Sequence, residues 1–345
     1  MQDPFLVARY RTEPMSWNRI MFAVASSGVA HGVLDKVAHL ADTMHAQVEL
    51  FHCVFNPHIA RPGRFGSRGI EQDIRTIVDY RHRQLETTGE QLRARGIKVH
   101  TSVRWDDPPH EGIVRQVLRQ EPDLLIVQSA RRSRAARLVL TQTDYRLIET
   151  CPCPVLLLKT PRPYANPCVV AALDPLHAHG KPAALDDAIM LAAGALSRPL
   201  GAKLNVYHAC EPWSVVARRS TALRQVPEAV RAEVRAAYCE QARARVEQIA
   251  WRFEVQRGRV HVEEGEAAKS LPGFARRASA DIVAMGAVSR SLPKRAFIGH
   301  TAERVLDELE CDVLIAKPSG FRTAVSRGSV HRLPKRAAQH ARDLV

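Results

Sequence analysis

Two short apolar segments, CPVLLLK at 153–159 and CDVLIAK at 311–317, repeat each other in the middle and near the end of the chain. Two more pairs match in the same way: VELFHCV (48–54) with LNVYHAC (204–210), and EPDLLIVQSA (121–130) with SADIVAMGAV (279–288). The offset from Lys159 to Lys317 is 158 residues, and the other pairs give 156 or 158. A nearly constant offset in three separate segments predicts a tandem of two homologous domains.

Each half of the sequence alternates short, almost continuous apolar runs with segments of helical periodicity. That pattern is typical of a parallel sheet with helices on both faces. Strands are predicted near 19–25, 47–54, 98–104, 123–128 and 154–159, and again near 168–173, 203–210, 258–263, 281–286 and 312–316. Long helices are predicted over about 72–95 and 227–253. The expected architecture is two tandem, doubly wound, five-stranded parallel-sheet domains of the Rossmann-like α/β class.

The boundaries of these domains follow from composition. The segment TPRPYANP (160–167) contains three prolines and is interpreted as a linker. The first domain is expected to cover 15–159, and the second 168–318. Residues 1–14 fit neither repeat and are expected to form a disordered extension. The segment 319–345 holds six basic residues against one acidic residue and is interpreted as a mobile basic tail.

Charge and hydropathy argue against a membrane-spanning, a secreted or a sequence-specific nucleic-acid-binding protein. The net charge is +14 over 345 residues, which attracts polyanions in general. Nine of the 50 basic residues are Lys and the other 41 are Arg, a bias that a GC-rich genome produces without any partner. With aromatic residues at 6%, nucleic acid is expected to bind only non-specifically, through charge. No apolar run approaches the ~20 residues of a membrane span, and the N-terminus resembles no signal peptide, so a cytoplasmic location is expected.

Seven cysteines are present, and an odd count without an export signal predicts reduced thiols. Cys151 and Cys153 form C-x-C with no second pair at zinc-finger spacing, so no structural metal site is predicted. His52 and His208 each lie beside a cysteine near the end of a predicted strand. A satisfied, half-buried histidine is the favoured interpretation, and a His/Cys metal site is the alternative.

The segment MGAVSRSLPKRAFIGHTAERVLDELECDVLIAKP (285–318) carries the clearest functional motif. A strand is predicted to end at Gly286, and a loop runs from there to Gly299, where a helix begins. Glycines permit close approach of a ligand, and a helix N-terminus offers free N–H groups to an anion. The pattern G-x-x-S-x9-G-H-T therefore favours a phosphate-binding loop. It is not a Walker A loop, because no G-K-[ST] follows.

This motif resembles the G-x2-G-x9-G-[ST] signature of nucleotide-binding members of the universal stress protein (UspA) superfamily. The tandem arrangement is similar to the UspE-like type, as is TQTDYRLIETCPCPVL (141–156) in the first half. The resemblance covers roughly 15–318. It implies an adenine nucleotide alpha hydrolase-like fold, a role in stress response, and ATP, ADP or AMP as ligand. It also implies edge-to-edge pairing of the two domains as an internal pseudo-dimer, with a homodimer and unidentified protein partners as further expectations. For Cys153 and Cys311 the favoured interpretation is a small buried apolar residue, and the alternative is an approach of the two thiols in such a pair.

The resemblance also assigns site residues in the second domain. The adenine pocket maps to Asp174 and to the backbone of Ala209, and an Asx turn before Pro175 is the alternative role for Asp174. The phosphate loop maps to Gly286, Ser289, Gly299, His300 and Thr301. Ser289 replaces the second glycine and adds a Cβ where φ is expected to be positive, which counts against tight binding. Thr301 is predicted to be the N-cap of the following helix.

The first domain departs much further from this pattern. Its first strand ends in Ala25-Ser26-Ser27 without an aspartate, and its loop has Gln128 or Ser129, and Thr141 or Gln142, where glycines belong. No nucleotide is predicted in this half. Four arginines crowd the loop and are interpreted as a solvated face rather than an anion site: Arg131, Arg132, Arg134 and Arg137.

The favoured hypothesis is a non-enzymatic stress-response protein whose second domain binds an adenine nucleotide. No catalytic residue is predicted, since neither a nucleophile elbow nor an H-E-x-x-H motif occurs. Three alternatives remain open. They are an interaction scaffold that binds no nucleotide, a basic nucleic-acid-associated protein, and a weak nucleotide hydrolase. In the last of these, His300 would act as the base and Thr301 or Ser289 would lie near the γ-phosphate.

Overall fold

A computed structural model describes residues 16–30, 32–56, 59, 67–129, 140–176, 184–210, 227–289, 297–318 and 320–328. The first half contains β1 (Arg19–Ala23), α1 (Val33–Thr43), β2 (Gln47–Val54), α2 (Ser67–Arg93), β3 (Val99–Trp105), α3 (Pro109–Gln120), β4 (Leu124–Gln128), α4 (Gln142–Thr150) and β5 (Val155–Leu158). The second half contains β6 (Cys168–Ala172), α5 (Leu185–Ser197), β7 (Lys203–Cys210), α6 (Glu228–Arg252), β8 (Val260–Glu264), α7 (Ala267–Arg277), β9 (Ile282–Gly286), β10 (Val288–Ser289), β11 (Phe297–Ile298), α8 (His300–Glu308) and β12 (Asp312–Ala316). The predicted tandem of α/β domains is confirmed.

The two domains share a single ten-stranded sheet of order β3-β2-β1-β4-β5-β12-β9-β6-β7-β8. Strands pair in parallel within each half, and β5 pairs antiparallel with β12, with Leu157 opposite Val313 and Val155 opposite Ile315. Both short strands are fully buried, and all their residues are apolar except Asp312, the first residue of β12. An exposed apolar edge strand has unpaired backbone N–H and C=O groups and tends to pair with another strand. Here each edge covers the other, so the predicted internal pseudo-dimer is confirmed. We call β5, β12 and the residues packed on them the domain seam.

The hydrophobic core is divided by sheet face and not by domain. Helices α1, α2, α5 and α6 cover one face, and α3, α4, α7 and α8 cover the other. Side chains alternate between the two cores along β5, where Leu156 and Leu158 face the first core and Val155 and Leu157 face the second. Each core therefore runs through both halves of the chain, and the two domains stabilise each other through continuous apolar packing.

One matched motif of the repeat has the same structural role in both halves. The Asp123 carboxylate accepts hydrogen bonds from the backbone N–H groups of Asn18 and Arg19, at 2.9 and 2.8 Å. Asp281, 158 residues later, accepts one from the N–H of Cys168 at 2.9 Å. Each aspartate satisfies donors at the entry to the central strand of its domain. This explains why an aspartate precedes the fourth strand in both repeats.

A buried polar cluster ties the linker to the domain seam. Asp312 is fully buried and forms an ion pair with Lys36 of α1. Its other hydrogen bonds come from the Tyr164 hydroxyl at 2.6 Å and from the N–H groups of Lys159 and Thr160 at 2.8 and 3.0 Å. Burial, together with the Asp312 charge, raises the pKa of Tyr164 well above its usual value. The linker 160–167, which forms neither helix nor strand, is therefore held in place by the last strand of the second domain.

The two repeated lysines make reciprocal contacts across the seam. Lys159 donates from Nζ to the carbonyl oxygen of Leu306 at 2.8 Å, and also to that of Leu309, at the end of α8. Lys317 donates from Nζ to the carbonyl oxygen of Ile148, near the end of α4. A cation is favourable at a helix C-terminus, where carbonyl groups lack intrahelical partners. Each lysine therefore stabilises the last helix of the other domain.

The cysteines correct two predictions. Cys210 at the end of β7 and Cys239 in α6 form a disulfide, so the prediction of reduced thiols is wrong for this pair, while five cysteines are free. The alternative in which Cys153 approaches Cys311 is also wrong. The antiparallel register, extended by two residues, places Cys153 near Lys317 and Cys311 near Lys159, at opposite ends of the strand pair.

Of the predicted basic tail, the structure describes residues 320–328, and two of these residues contact the rest of the fold. Phe321 lies with its ring centroid 4.7 Å from Nζ of Lys317, and Arg327 approaches Glu121 of the first domain at 3.6 Å. The remainder of that tail and the predicted extension 1–14 lie outside the described residues. Within the part of the chain that the structure describes, none of the helices has the length and apolarity that a bilayer crossing requires.

The substitution Asp312→Asn is expected to lower the free energy of unfolding by about 3–5 kcal/mol, because it leaves the buried Lys36 ammonium without its counter-charge. Urea denaturation followed by circular dichroism measures the change. Asp187→Asn is the matched control, since Asp187 pairs with Arg252 on the surface and is expected to contribute less than about 1 kcal/mol. Equal losses in the two variants would contradict a central role for the Asp312 cluster.

Removal of the disulfide by Cys239→Ala is expected to cost about 3–4 kcal/mol of stability, because the bond closes a loop with a sequence separation of 29 residues. A reductant should lower the unfolding midpoint of the wild-type protein and leave that of the variant unchanged. If reductant had no effect on the wild-type midpoint, the disulfide would not contribute to stability.

Candidate functional site

Three of the predicted site residues lie along one edge of the second domain. Asp174 follows the end of β6 by two residues, Ala209 is the next-to-last residue of β7, and Gly286 is the last residue of β9. Because β6 pairs in parallel with both β7 and β9, the carboxyl ends of these strands meet at the same edge of the sheet. In doubly wound sheets, ligands bind in the crevice beside the central strand at this edge.

Two hydrogen bonds fix the chain around Asp174. Its backbone N–H donates to the carboxylate of Asp186 in α5 at 3.0 Å. Nδ1 of His208 bonds the carbonyl oxygen of Leu173 at 2.9 Å and holds the end of β7 against the end of β6. The Asp174 side chain itself is half-buried at the rim of the crevice. A carboxylate in this place is suited to accept hydrogen bonds from a ligand.

His52 has the corresponding role in the first domain. Its Nδ1 lies 2.7 Å from the carbonyl oxygen of Val24, so both strand-end histidines link neighbouring strands. Both are more deeply buried than the half-buried state that the sequence predicts. Burial lowers the pKa of His52, which favours the neutral ring as a hydrogen-bond donor to the carbonyl.

The His/Cys metal alternative is not assembled in the described residues. Cys210 is joined to Cys239, and the Cys53 thiol donates to the carbonyl oxygen of Asp106 at 3.7 Å. Among the residues described, no three His, Cys, Asp or Glu side chains converge in a geometry that would hold a metal ion.

Gly286 is explained in part by packing. A Cβ at this position would lie 2.6 Å from Cδ2 of Leu185, a buried residue in the first turn of α5. The glycine therefore lets α5 begin directly beside the end of β9. Its φ is not in the left-handed region, so close approach, and not an unusual backbone conformation, accounts for the residue.

Ser289 does not have the positive φ that the motif leads one to expect. The residue lies in the short strand β10, which pairs antiparallel with β11, with Ser289 opposite Phe297. A residue with a Cβ is therefore accommodated in the backbone of this arrangement, and the expected conformational conflict is wrong. The loop between these strands, 290–296, lies outside the described residues.

The helix that follows this loop begins at His300 with Gly299 as its N-cap, so the prediction of Thr301 as N-cap is wrong by two positions. Within the described residues, no side chain caps this end of α8. Both His300 and Thr301 are exposed in the first turn, and Nδ1 of His300 is 3.9 Å from a carboxylate oxygen of Glu303. The first-turn N–H groups that lack intrahelical partners are suited to bind an anion.

The equivalent helix of the first domain is capped from within. Thr141 is the N-cap of α4, its hydroxyl accepts from the N–H of Asp144 at 3.1 Å, and its own N–H donates to the Asp144 carboxylate at 2.8 Å. Burial raises the pKa of Asp144, against the effect of hydrogen bonds from Thr141 and Ser129. The Asp144 carboxylate and the Thr141 hydroxyl therefore pair two of the N–H donors at this helix start. The four predicted loop arginines of this domain lie outside the described residues.

A second difference lies at the position of Gly286. Gln128 stands there in the first domain, and its side-chain oxygen accepts a hydrogen bond from the N–H of Ala30 at 2.9 Å. The side chain thus links the end of β4 to the segment that follows β1. These contacts were not predictable from the loop sequence alone, although T-x-x-D at 141–144 fits a capping-box pattern.

Two cavities lie elsewhere in the first domain. One of about 230 Å³ is bounded by 24–29, His52 and Arg81, and is smaller than typical ligand pockets of ~300–1,000 Å³. A larger one of about 850 Å³ is lined by Asn18, Lys98 and Asp123 at the amino ends of the strands. Neither contains any of the predicted site residues.

Comparison with known proteins agrees with this architecture. The model of the "Universal stress protein family" matches residues 16–159 and again 169–317. Universal stress protein E of Escherichia coli (strain K12) is 28% identical over 238 residues, which is 67% of this chain and 72% of the relative.

Solved structures show the same fold. A functionally unknown protein from Pseudomonas aeruginosa PAO1 covers 88% of this chain and 93% of its own length, with 24% identity and a TM-score of 0.62. A universal stress protein from Archaeoglobus fulgidus covers 88% and 99%, with 16% identity and a TM-score of 0.56. Since one family model accounts for both halves of the repeat, the chain belongs to the universal stress protein family as a tandem of two Usp domains.

Proposed function

We propose that the second domain, 168–318, binds one adenine nucleotide (ATP, ADP or AMP), and that the first domain, 15–159, binds none. The observation that carries this proposal is the contrast between the start of α8, which lacks a side-chain cap among the described residues, and the start of α4, which carries a complete capping box. The first N–H groups of a helix lack intrahelical partners, and together with the positive end of the helix dipole they stabilise a phosphate.

The remaining assignments follow the edge of the sheet. Asp174 would accept hydrogen bonds from the adenine or ribose, and the backbone of Ala209 would contact the base. The phosphates would lie along the loop and helix start formed by Gly286, Ser289, Gly299, His300 and Thr301. In the first domain, Ala25 stands in place of the aspartate. Gln128 stands in place of Gly286 and accepts a hydrogen bond from Ala30, and Asp144 completes the capping box at the helix start.

We infer a non-enzymatic role in stress tolerance, with nucleotide occupancy changing the loop 287–298 and the surface that protein partners contact. Because β5 and β12 cover each other within the chain, any homodimer would form through another surface. A cytoplasmic location belongs to the same proposal, and there the Cys210–Cys239 pair would be exposed to cellular reductants.

Calorimetric titration of the ligand-free protein with ATP and with ADP is expected to give one site per chain. The Asp144 carboxyl and the Gln128 side chain already occupy the equivalent positions of the first domain. Two equal sites would contradict the assignment of asymmetry. No binding at millimolar nucleotide would overturn the nucleotide proposal and favour a scaffold that acts through protein partners.

The substitution Gly299→Asp is expected to weaken nucleotide binding by at least ~10-fold, or about 1.4 kcal/mol. The new carboxylate would take the first-turn N–H groups and repel the phosphates. No heavy atom outside the immediate chain neighbours lies within 4 Å of a Cβ at this position, and aspartate is a good N-cap, so the fold should be retained.

Gly299→Asn is the matched control, because it adds the same shape and a similar cap without the charge. It should weaken binding only a few-fold. Dissociation constants that are equal for the wild-type protein and both variants would show that the start of α8 does not contact the ligand.

A further inference from the structure

Two thiols meet at the first-domain end of the seam. Cys151 directly follows α4, Cys153 lies two residues before β5, and their sulfur atoms are 3.5 Å apart. Cys151 is fully buried, whereas Cys153 is partly exposed to solvent. The pair therefore combines a contact close enough for a sulfur hydrogen bond with one residue, Cys153, that lies partly at the surface.

A buried cation lies beside this pair. Lys317 comes from the end of the second domain and donates to the carbonyl oxygen of Ile148, close to both thiols. Burial lowers the pKa of Lys317 to about 8, and the neighbouring Cys151, Cys153 and Glu149 act in the opposite direction. Lys317 is thus largely an ammonium group at neutral pH.

This environment shifts the pKa values of the two thiols in opposite directions. Burial by itself would raise the pKa of Cys151, but the hydrogen bond from the Cys153 thiol and the charge of Lys317 outweigh it, so this pKa lies below its usual value. The same hydrogen bond, with burial, raises the pKa of Cys153. Cys151 therefore ionises more readily than Cys153, and a thiolate is the reactive form of cysteine.

The opposite end of the seam carries the equivalent residues of the repeat and can be compared with the dithiol end. At an offset of 158 residues, Cys311 corresponds to Cys153 and Lys159 to Lys317, but Leu309 stands in place of Cys151. Cys311 has no thiol partner among the described residues, and burial, with the nearby Asp312, raises its pKa to about 12. Among the described residues, a pair of thiols beside a lysine is thus present at only one end of the seam.

We propose that Cys151 and Cys153 form a peroxide-reactive dithiol that closes reversibly to a disulfide at the domain seam. A disulfide requires the two sulfurs to approach from 3.5 Å to about 2.05 Å. Within the described residues no third metal ligand joins the pair, so the site favours oxidation over metal binding.

The oxidant is a hydroperoxide such as hydrogen peroxide, and it reacts first at the partly exposed Cys153. Starting from two thiols, the Cys153 sulfur loses its proton and attacks one peroxide oxygen, and the O–O bond breaks to give a sulfenic acid and hydroxide, which takes up that proton to become water. The Cys151 thiol then loses its proton and its sulfur attacks the Cys153 sulfur. The S–O bond breaks, and the leaving hydroxide takes up the Cys151 proton to become a second water. Two thiols lose two electrons in total to the peroxide, and a thiol reductant restores them by exchange.

The test uses the full-length protein and follows two tryptic peptides. Peptide 147–159, LIETCPCPVLLLK, contains both members of the dithiol. Peptide 305–322, VLDELECDVLIAKPSGFR, contains Cys311, because trypsin does not cleave the Lys317–Pro318 bond. Reduced protein is treated with a series of hydrogen peroxide concentrations, remaining thiols are alkylated after denaturation, and the peptides are weighed. Peptide 147–159 is expected to lose two hydrogens and to resist alkylation, at peroxide concentrations at least ~10-fold below those that oxidise Cys311.

Reduction before alkylation should restore two alkylation sites on peptide 147–159. Oxidation of both peptides at the same peroxide concentration would overturn the proposal, and so would a failure of peptide 147–159 to close. Both outcomes are measured on the wild-type chain, so the test does not depend on any variant folding.

Variants then assign the roles. Cys151→Ser should leave a sulfenic acid on Cys153 that dimedone captures, whereas Cys311→Ser should close as readily as the wild-type protein. Lys317→Met should slow closure by at least several-fold, with Lys159→Met as its matched control at the other end of the seam. Closure at the wild-type rate in Lys317→Met, with native circular dichroism, would contradict the role given to Lys317.

Discussion

The antiparallel pairing of β5 with β12 is the interaction on which the rest of the structure depends. Only a few residues of each strand take part, with Leu157 opposite Val313 and Val155 opposite Ile315. The pairing converts two sheets with exposed apolar edges into one sheet and makes each hydrophobic core continuous through both halves. It also fixes where Asp312 and the two repeated lysines lie, so the polar contacts of the seam follow from one strand register.

Within this symmetric frame the two domains have diverged at the same positions. Thr141 and Asp144 close the helix start of the first domain, whereas Gly299 leaves the corresponding start in the second domain without a side-chain cap among the described residues. Gln128 bridges to Ala30 where Gly286 gives room to Leu185. A capping box stabilises a helix by itself, so the first domain gains local stability at positions where the second domain has no side-chain cap among the described residues. Under the proposed function, the duplication separates a structural role from a binding role.

The sequence was sufficient to predict the ten strands of the large sheet and the two long helices, because hydrophobic periodicity reports which face of a helix or strand is buried. It did not predict the short pair β10 and β11, which lies in a segment interpreted as a loop. It was not sufficient for contacts that depend on register between distant segments. The alternative in which Cys153 meets Cys311 failed because antiparallel pairing places equivalent residues at opposite ends of the two strands. The Cys210–Cys239 bond joins a strand end to the middle of a long helix, and no local pattern reports that contact. Thr301 was misassigned as a cap because a glycine N-cap leaves no side-chain signature.

The order of synthesis gives the seam a further consequence. On the ribosome, β12 emerges about 157 residues after β5, which at ~5–20 residues per second corresponds to roughly 8–30 s. During that time the first domain displays the edge of β5 to every other nascent chain nearby. Because β12 belongs to the same chain, its effective concentration near β5 is high. Pairing within the chain therefore competes favourably with pairing to a strand of another protein. Fusion of the two domains into one chain is therefore a device for faithful assembly in a crowded cell.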